Sequence, residues 1–188
     1  MTTRSREDVV RAAGRLFATR GFHGTSMRDL GDELGLLGSS LYSHVAGKEQ
    51  LLVEVVQRGA DLFQALADRI AGSASSPEEK VAAMVRGHAE IIMSNQDMSA
   101  TFLNEARFLP VESRTAIVAL RDQYEATFRE VIAEGIKLGA FRTQNPALAS
   151  IMVLSVLNAL TRWYRPDGPQ SAGEIAEAMV GFALDGLR

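Results

Sequence analysis

Apolar residues recur along this chain at three- and four-residue intervals, and no stretch keeps the two-residue alternation of a strand. Val9, Ala13, Leu16 and Phe17 predict a first helix over 5–20, with Ser5 as N-cap and Gly21 as the stop. Thr25 or Ser26 can cap the second helix, Ser26 with Asp29 having capping-box spacing ahead of Leu30 and Leu34, and Gly35 supplies the positive φ that ends it. A short helix follows from about Gly38 to His44, with Leu41 and Val45 inward and Ser39, Ser40, Tyr42 and Ser43 outward. Lys48 to Gly72 reads as one long helix with a stripe of Leu52, Val55, Gly59, Leu62, Leu66 and Ile70, and GSASSP at 72–77 reads as a linker. Pro77 then opens a helix whose apolar face is Val81, Met84, Val85, His88, Ile91 and Ile92. Pro110 separates helices over 97–108 and 111–138, the second carrying Ile117, Leu120, Tyr124, Phe128, Val131, Ile132 and Leu138. Pro146 opens a nearly all-apolar helix through Trp163 that needs cover on most sides. A last helix over 171–187 turns Ile175, Met179 and Phe182 inward. The pattern predicts an all-α protein.

Two short helices joined by a tight turn, with the second presented outward, are helix–turn–helix geometry, which offers an exposed helix to the DNA major groove. Residues 21–51 resemble the DNA-binding signature of the tetracycline-repressor (TetR) family of bacterial transcription regulators. The resemblance is carried by Gly21-Phe22, Thr25-Ser26-Met27-Arg28-Asp29-Leu30, Leu34-Gly35-Leu36, Leu41-Tyr42-Ser43-His44, Lys48-Glu49 and Leu51. Leu37, Ser39 and Val45 stand where many members have Ser, Gly and Phe, so either Gly38 or Ser39 caps the recognition helix. The family implies a DNA-binding head over 1–47 and a ligand-binding and dimerisation body over 48–188.

Composition narrows the class further. A chain of 188 residues with 46% hydrophobic and 23% charged residues is ordinary for a globular protein. No apolar run approaches the roughly 20 residues of a membrane span, and MTTRSREDVV lacks the apolar core of a secretory signal, so no membrane association and a cytoplasmic location are expected. The absence of Cys removes disulfides, thiolate metal sites and Cys nucleophiles. Net charge is −3, yet residues 1–28 hold six Arg against two acids, whereas residues 51–188 hold 13 basic and 17 acidic residues. A basic end on an acidic body fits docking on DNA through one end.

In that reading Gly38, Ser39, Ser40 and Ser43 line the groove-facing side of the recognition helix. Serine hydroxyls serve donor and acceptor base edges alike, so discrimination rests on few base contacts, on Arg28 or an arm Arg (Arg4 or Arg6), and on DNA shape. The resemblance assigns phosphate contacts to Thr25, Tyr42, His44 and Lys48, near the capping Ser26, and these set register. It also implies a homodimer through the last two helices. Two heads about 34–36 Å apart would read a pseudo-palindrome on double-stranded DNA.

Polar residues set in apolar faces of the body are candidates for an effector site: His88, Asn104, Tyr124, Asn158, Arg162 and Trp163. A buried Asn158 needs a partner from another chain, water or ligand, because an unpartnered amide costs about 1–3 kcal/mol. NALTRWYRPDG at 158–168 resembles TetR-type regulators of fatty-acid and steroid catabolism, which implies a small-molecule effector of the acyl-CoA type. For such a ligand Phe102, Leu103, Phe108 and Phe128 suit an acyl chain, and Arg107, Arg121, Arg162 and Arg165 suit the phosphates. Another hydrophobic or drug-like inducer remains open, as does a helical protein-binding adaptor. No catalytic or metal-ligand motif is present, and His23, His44 and His88 are not spaced as ligands, so no enzyme, metal or cofactor is expected.

Overall fold

The computed structural model describes residues 5–36, 41–43 and 45–188. Helix starts follow the capping chemistry of the sequence. Helices α1 (Arg6–Arg20) and α2 (Met27–Leu34) begin on complete capping boxes, Ser5 with Asp8 and Ser26 with Asp29. Each such cap contributes about 1 kcal/mol. Gly35 ends α2 at φ 65, a conformation that costs other residues about 1–2 kcal/mol. Helix α3 runs over Lys48–Ala71, α4 over Pro77–Ser94, and α5 over Gln96–Asn104 with a 3-10 turn at Ala106–Phe108. Helix α6 spans Val111–Lys137, α7 Pro146–Asn158, α8 Leu160–Trp163 and α9 Ala172–Leu187. Ser76 with Glu79 and Ser171 with Glu174 repeat the capping box at α4 and α9. The described residues contain helices and no strand.

The chain divides into two compact units, Met1–Asp61 with Gln96–Ala119, and Leu62–Asn95 with Leu120–Arg188. The division falls inside α3 and α6, so the head expected over 1–47 belongs to a larger packed unit. In the first unit Val9, Leu16, Phe17, Phe22, Leu30, Leu41, Val45, Leu52 and Val55 form the core. Helix α5 docks on α1, where the Thr101 hydroxyl donates to the Gly14 carbonyl at 3.1 Å. Gly59 lets α3 close on Phe102; a Cβ there would lie 2.9 Å from the Phe102 Cβ.

In the second unit α4 packs against α9, α7 and α8 around Val81, Met84, Val85, Ile92, Leu157, Leu160, Ala176 and Val180. Arg86 pairs with Glu177 across the α4–α9 seam at 2.5 Å. Phe63, rather than the expected Leu62, turns inward. The helical track through Gly59, Phe63, Leu66 and Ile70 leaves Leu62 a full residue's rotation off the face. Phe182 and Leu138, expected inside, are 66% exposed. On α9 the buried track is Ala176, Met179, Val180, Ala183 and Leu187, whose small residues allow close approach to α4.

The 146–163 stretch departs most from expectation. It breaks at Ala159, between α7 and α8, and its own chain leaves Leu148, Ile151, Met152, Val156 and Trp163 exposed. A groove of about 200 Å³ runs between α7 and α9, lined by Leu148, Met152, Val156, Phe182 and Leu187 among others. Over Pro146–Trp163 the mean hydropathy is 1.3, enough by length and composition for a short membrane span. That corrects the expectation that no apolar run comes near such a length.

Candidate functional site

In the first unit the turn between α1 and α2 is tied down from two sides. The Lys48 ammonium donates to the carbonyls of Phe22 (3.1 Å) and Thr25 (3.0 Å) and sits 4.4 Å from the centroid of the Phe22 ring. The buried Glu105 carboxylate accepts the Phe22 N–H at 2.6 Å. Lys48 at the first position of α3 is therefore joined to the turn that launches α2. A groove of about 500 Å³ opens here, with His23, Ser26, Met27, Tyr42, Lys48 and Glu49 among its lining.

The expected DNA-contact residues meet different fates. Tyr42 is 57% exposed, Ser43 is exposed, and Arg28 is exposed with Asp32 3.9 Å away. Ser26 is exposed, but its hydroxyl serves the cap, and those hydrogen bonds hold the Asp29 carboxyl below its usual range. Thr25 is buried, its hydroxyl donating to the carbonyls of Gly21 and Leu16 at 2.9 and 3.3 Å. The side chain is thus committed to the turn, which corrects its assignment to a phosphate. Lys48 has two of its three donors on backbone carbonyls and is part strut. Gly38, Ser39, Ser40 and His44, with Arg4, lie outside the described residues.

The basic end is offset by its own fold. Arg6 meets Glu54 at 2.9 Å, Arg15 meets Glu33 at 3.1 Å, and Arg20 meets Asp29 at 3.3 Å. Arg58 bridges Glu54 and Glu7. Burial alone would raise the Glu54 carboxyl, but the guanidiniums of Arg6 and Arg58 hold it below its usual value. Residues 1–61 hold eight basic and eight acidic side chains. The net charge of residues 1–61 therefore supplies little attraction for DNA, and placement of individual donors has to do more.

The second unit brings together three expected effector residues. His88 is 2% exposed, with Nδ1 3.1 Å from the Tyr124 hydroxyl and Nε2 3.2 Å from the Asn158 Oδ1. An amide oxygen only accepts, so Nε2 carries the proton and Nδ1 accepts from Tyr124. Phe63 lies 4.7 Å from the imidazole and 5.5 Å from the Tyr124 ring, which in turn meets Phe128 at 5.5 Å. Burial drives the His88 pKa to about 3 against a smaller upward pull from Asn158, and burial raises that of Tyr124. Asn158 thus finds its partner within its own chain, not in another chain, water or ligand as expected. Burial also pushes the Arg121 guanidinium below its usual range.

The remaining candidates are not embedded as their sequence setting suggested. Arg162 and Trp163 lie at the surface on α8. In the first unit Asn104 and Arg107 are exposed, Arg107 lying 4.7 Å over Phe108, while Phe102 is core beneath Gly59. Sequence reasoning missed Glu105 and Phe63. A lone carboxylate within TFLNEARFLP, at i+4 from Thr101, was the available signal for the first; nothing in the periodicity singled out the second.

The capped helices α1 and α2, their braced turn and a body that is helical among the described residues fit the class of helix–turn–helix DNA-binding transcriptional regulators. Residues 9–55 match the family model described as bacterial regulatory proteins, tetR family, and residues 74–187 match that of the tetracyclin repressor-like C-terminal domain. The chain belongs to the TetR family. It is 29% identical to the HTH-type transcriptional repressor KstR2 of Mycolicibacterium smegmatis, over 97% of this chain and 90% of that protein. Among solved structures, the TetR family transcriptional regulator PfmR from Thermus thermophilus is 34% identical with a TM-score of 0.85, covering 96% of this chain and 98% of its own. AibR in complex with isovaleryl coenzyme A and operator DNA is 27% identical with a TM-score of 0.84, covering 94% and 96%.

Proposed function

We propose that this protein is a cytoplasmic, non-catalytic repressor that binds a pseudo-palindromic operator as a homodimer and is released by an acyl-coenzyme A thioester. The observation that carries the reading is the likeness, over 94% of the chain, to AibR bound to isovaleryl coenzyme A and operator DNA. We assign DNA contacts to residues within 1–47 and dimerisation and effector binding to residues within 48–188. Arg28, Tyr42, Ser43 and the third ammonium donor of Lys48 are the described groups assigned to meet DNA, joined by Gly38, Ser39, Ser40 and His44.

The dimer is supported by the apolar face of α7 and α9. Leu148, Met152, Val156 and Phe182 are exposed along one groove, with Ile151 also exposed on α7, a patch that soluble monomers rarely leave uncovered. A second copy offers the same face in return, which closes a two-fold interface. The effector is supported by the polar triad of His88, Tyr124 and Asn158 set among Phe63 and Phe128. A carbonyl or hydroxyl on a largely apolar ligand would bind there by displacing one of these internal hydrogen bonds. Arg121 and Arg162 supply cations for the coenzyme A phosphates.

One titration tests both halves. The full chain is first shown by light scattering to be a dimer, and the Ile151→Asp variant to be a monomer. Binding to the DNA fragment upstream of its own gene is then followed while acyl-CoAs of increasing length, free coenzyme A and free fatty acid are added. Release by an acyl-CoA alone supports the proposal. A dimeric protein that binds the fragment and ignores every thioester defeats the effector assignment, and a wild-type monomer defeats the interface.

A further inference from the structure

The geometry points to Glu105 as a positioning residue for DNA binding: it holds the turn between α1 and α2, and so the start of α2, in register with α3. The inference rests on the DNA-binding reading above and lies wholly within the first unit.

A single peptide unit is the hub. The N–H of Phe22 donates to the Glu105 carboxylate at 2.6 Å, and its carbonyl accepts from the Lys48 ammonium at 3.1 Å. Side chains of opposite charge, distant in sequence by 83 and 26 residues, thus grip the two polar groups of one residue. Both bonds are charge-assisted, the stronger and more directional kind. Lys48 adds the Thr25 carbonyl, one residue before the Ser26 cap of α2. The four-residue turn is therefore fastened at its first amide and its last carbonyl, and little freedom remains for the direction in which α2 leaves.

Glu105 is itself held. Its N–H donates to the Thr101 carbonyl and its carbonyl accepts from Phe108, both at 2.9 Å, while Thr101 is bonded to Gly14 on α1. Ring contacts flank the bond: Phe22 lies 5.5 Å from Phe17 and 6.1 Å from Phe108, and His23 meets the Phe108 ring at 4.4 Å. Gly21, at φ 74, makes the reversal that aims the Phe22 N–H at the carboxylate. Glu105 is 8% exposed, and a buried carboxylate is retained at a desolvation cost that an apolar residue would avoid. What an apolar residue lacks is the acceptor that fixes the turn.

The test uses the full-length chain with the DNA fragment upstream of its own gene, and reads three quantities. These are affinity by fluorescence anisotropy, its salt slope, and hydrogen exchange of the peptide containing Phe22. E105A removes the acceptor, and E105D keeps the charge but withdraws it by one methylene. Both are expected to weaken DNA binding about tenfold or more with the salt slope unchanged, since no phosphate contact is lost, and to speed exchange at Phe22 alone. E105Q, which keeps an acceptor at the same reach, is expected to restore affinity to within about threefold of wild type. Wild-type affinity in both E105A and E105D overturns the inference, as does an E105Q as weak as they are, or unaltered exchange at Phe22. Should E105A not fold, E105D and E105Q decide alone. A wild type that ignores the DNA fragment defeats the regulator reading instead, because exchange at Phe22 is read without DNA.

Discussion

Lowering the pH from 7 to 5 should destabilise this protein through His88, in a window where its carboxylates contribute little. The imidazole is buried between Tyr124, Asn158 and Phe63, and its pKa falls from 6.5 to about 3. A folded-state value below the unfolded one means that the unfolded chain takes up the proton first. The neutral imidazole therefore contributes stability that is complete above about pH 6.5 and is lost as the pH drops below it. Each unit costs about 1.4 kcal/mol, so His88 alone removes about 2 kcal/mol by pH 5. The carboxyls held low by their partners, such as Asp29, Glu54 and Glu177, start from 3.8 or 4.5 and lose stability only at lower pH. Urea unfolding at pH 7, 6 and 5, at one protein concentration, reads the effect as a midpoint falling by about 1 M for a typical urea dependence. In His88→Gln the amide can still donate to Asn158 and accept from Tyr124 but cannot titrate, so most of the decline should vanish. A wild-type midpoint that stays level, or an equal decline in His88→Gln, would refute the reasoning.

Two further perturbations separate roles within the head. Lys48→Gln removes the charge while keeping an amide donor near the Phe22 and Thr25 carbonyls; the salt slope of DNA binding should fall by about one with little loss of melting temperature. Lys48→Ala also strips those two carbonyls of their donor and should cost about 1–3 kcal/mol more in stability, read by urea unfolding. An unchanged slope in Lys48→Gln would confine Lys48 to its structural bonds. Gly59→Leu forces a side chain into the Phe102 contact, where even a Cβ sits at 2.9 Å. It should destabilise the chain by about 1–3 kcal/mol by the same unfolding assay, and wild-type stability would show that α3 and α5 can part at no cost.

Much of the secondary structure was legible in the sequence because its signals are local. A serine three residues ahead of an acid, a proline at a first turn and a glycine after a last one act over a single helical turn. The starts at Ser5, Ser26, Pro77 and Ser171 and the stops at Gly21 and Gly35 accordingly lie where the pattern put them. The family was legible for the same reason, since its signature is a contiguous run. Tertiary packing decided the rest. Periodicity gives a helix two or three candidate faces, and only the neighbour chooses between Leu62 and Phe63, or exposes Phe182 while seating Ala183. It decided that Thr25 faces inward, that Asn158 is satisfied by His88, and that Arg6, Arg15 and Arg20 are met by Glu54, Glu33 and Asp29. It also set Glu105 and Lys48 on opposite sides of Phe22. Hydrogen bonds and ion pairs reach only a few ångströms, so groups tens of residues apart become partners only once the helices between them are in place.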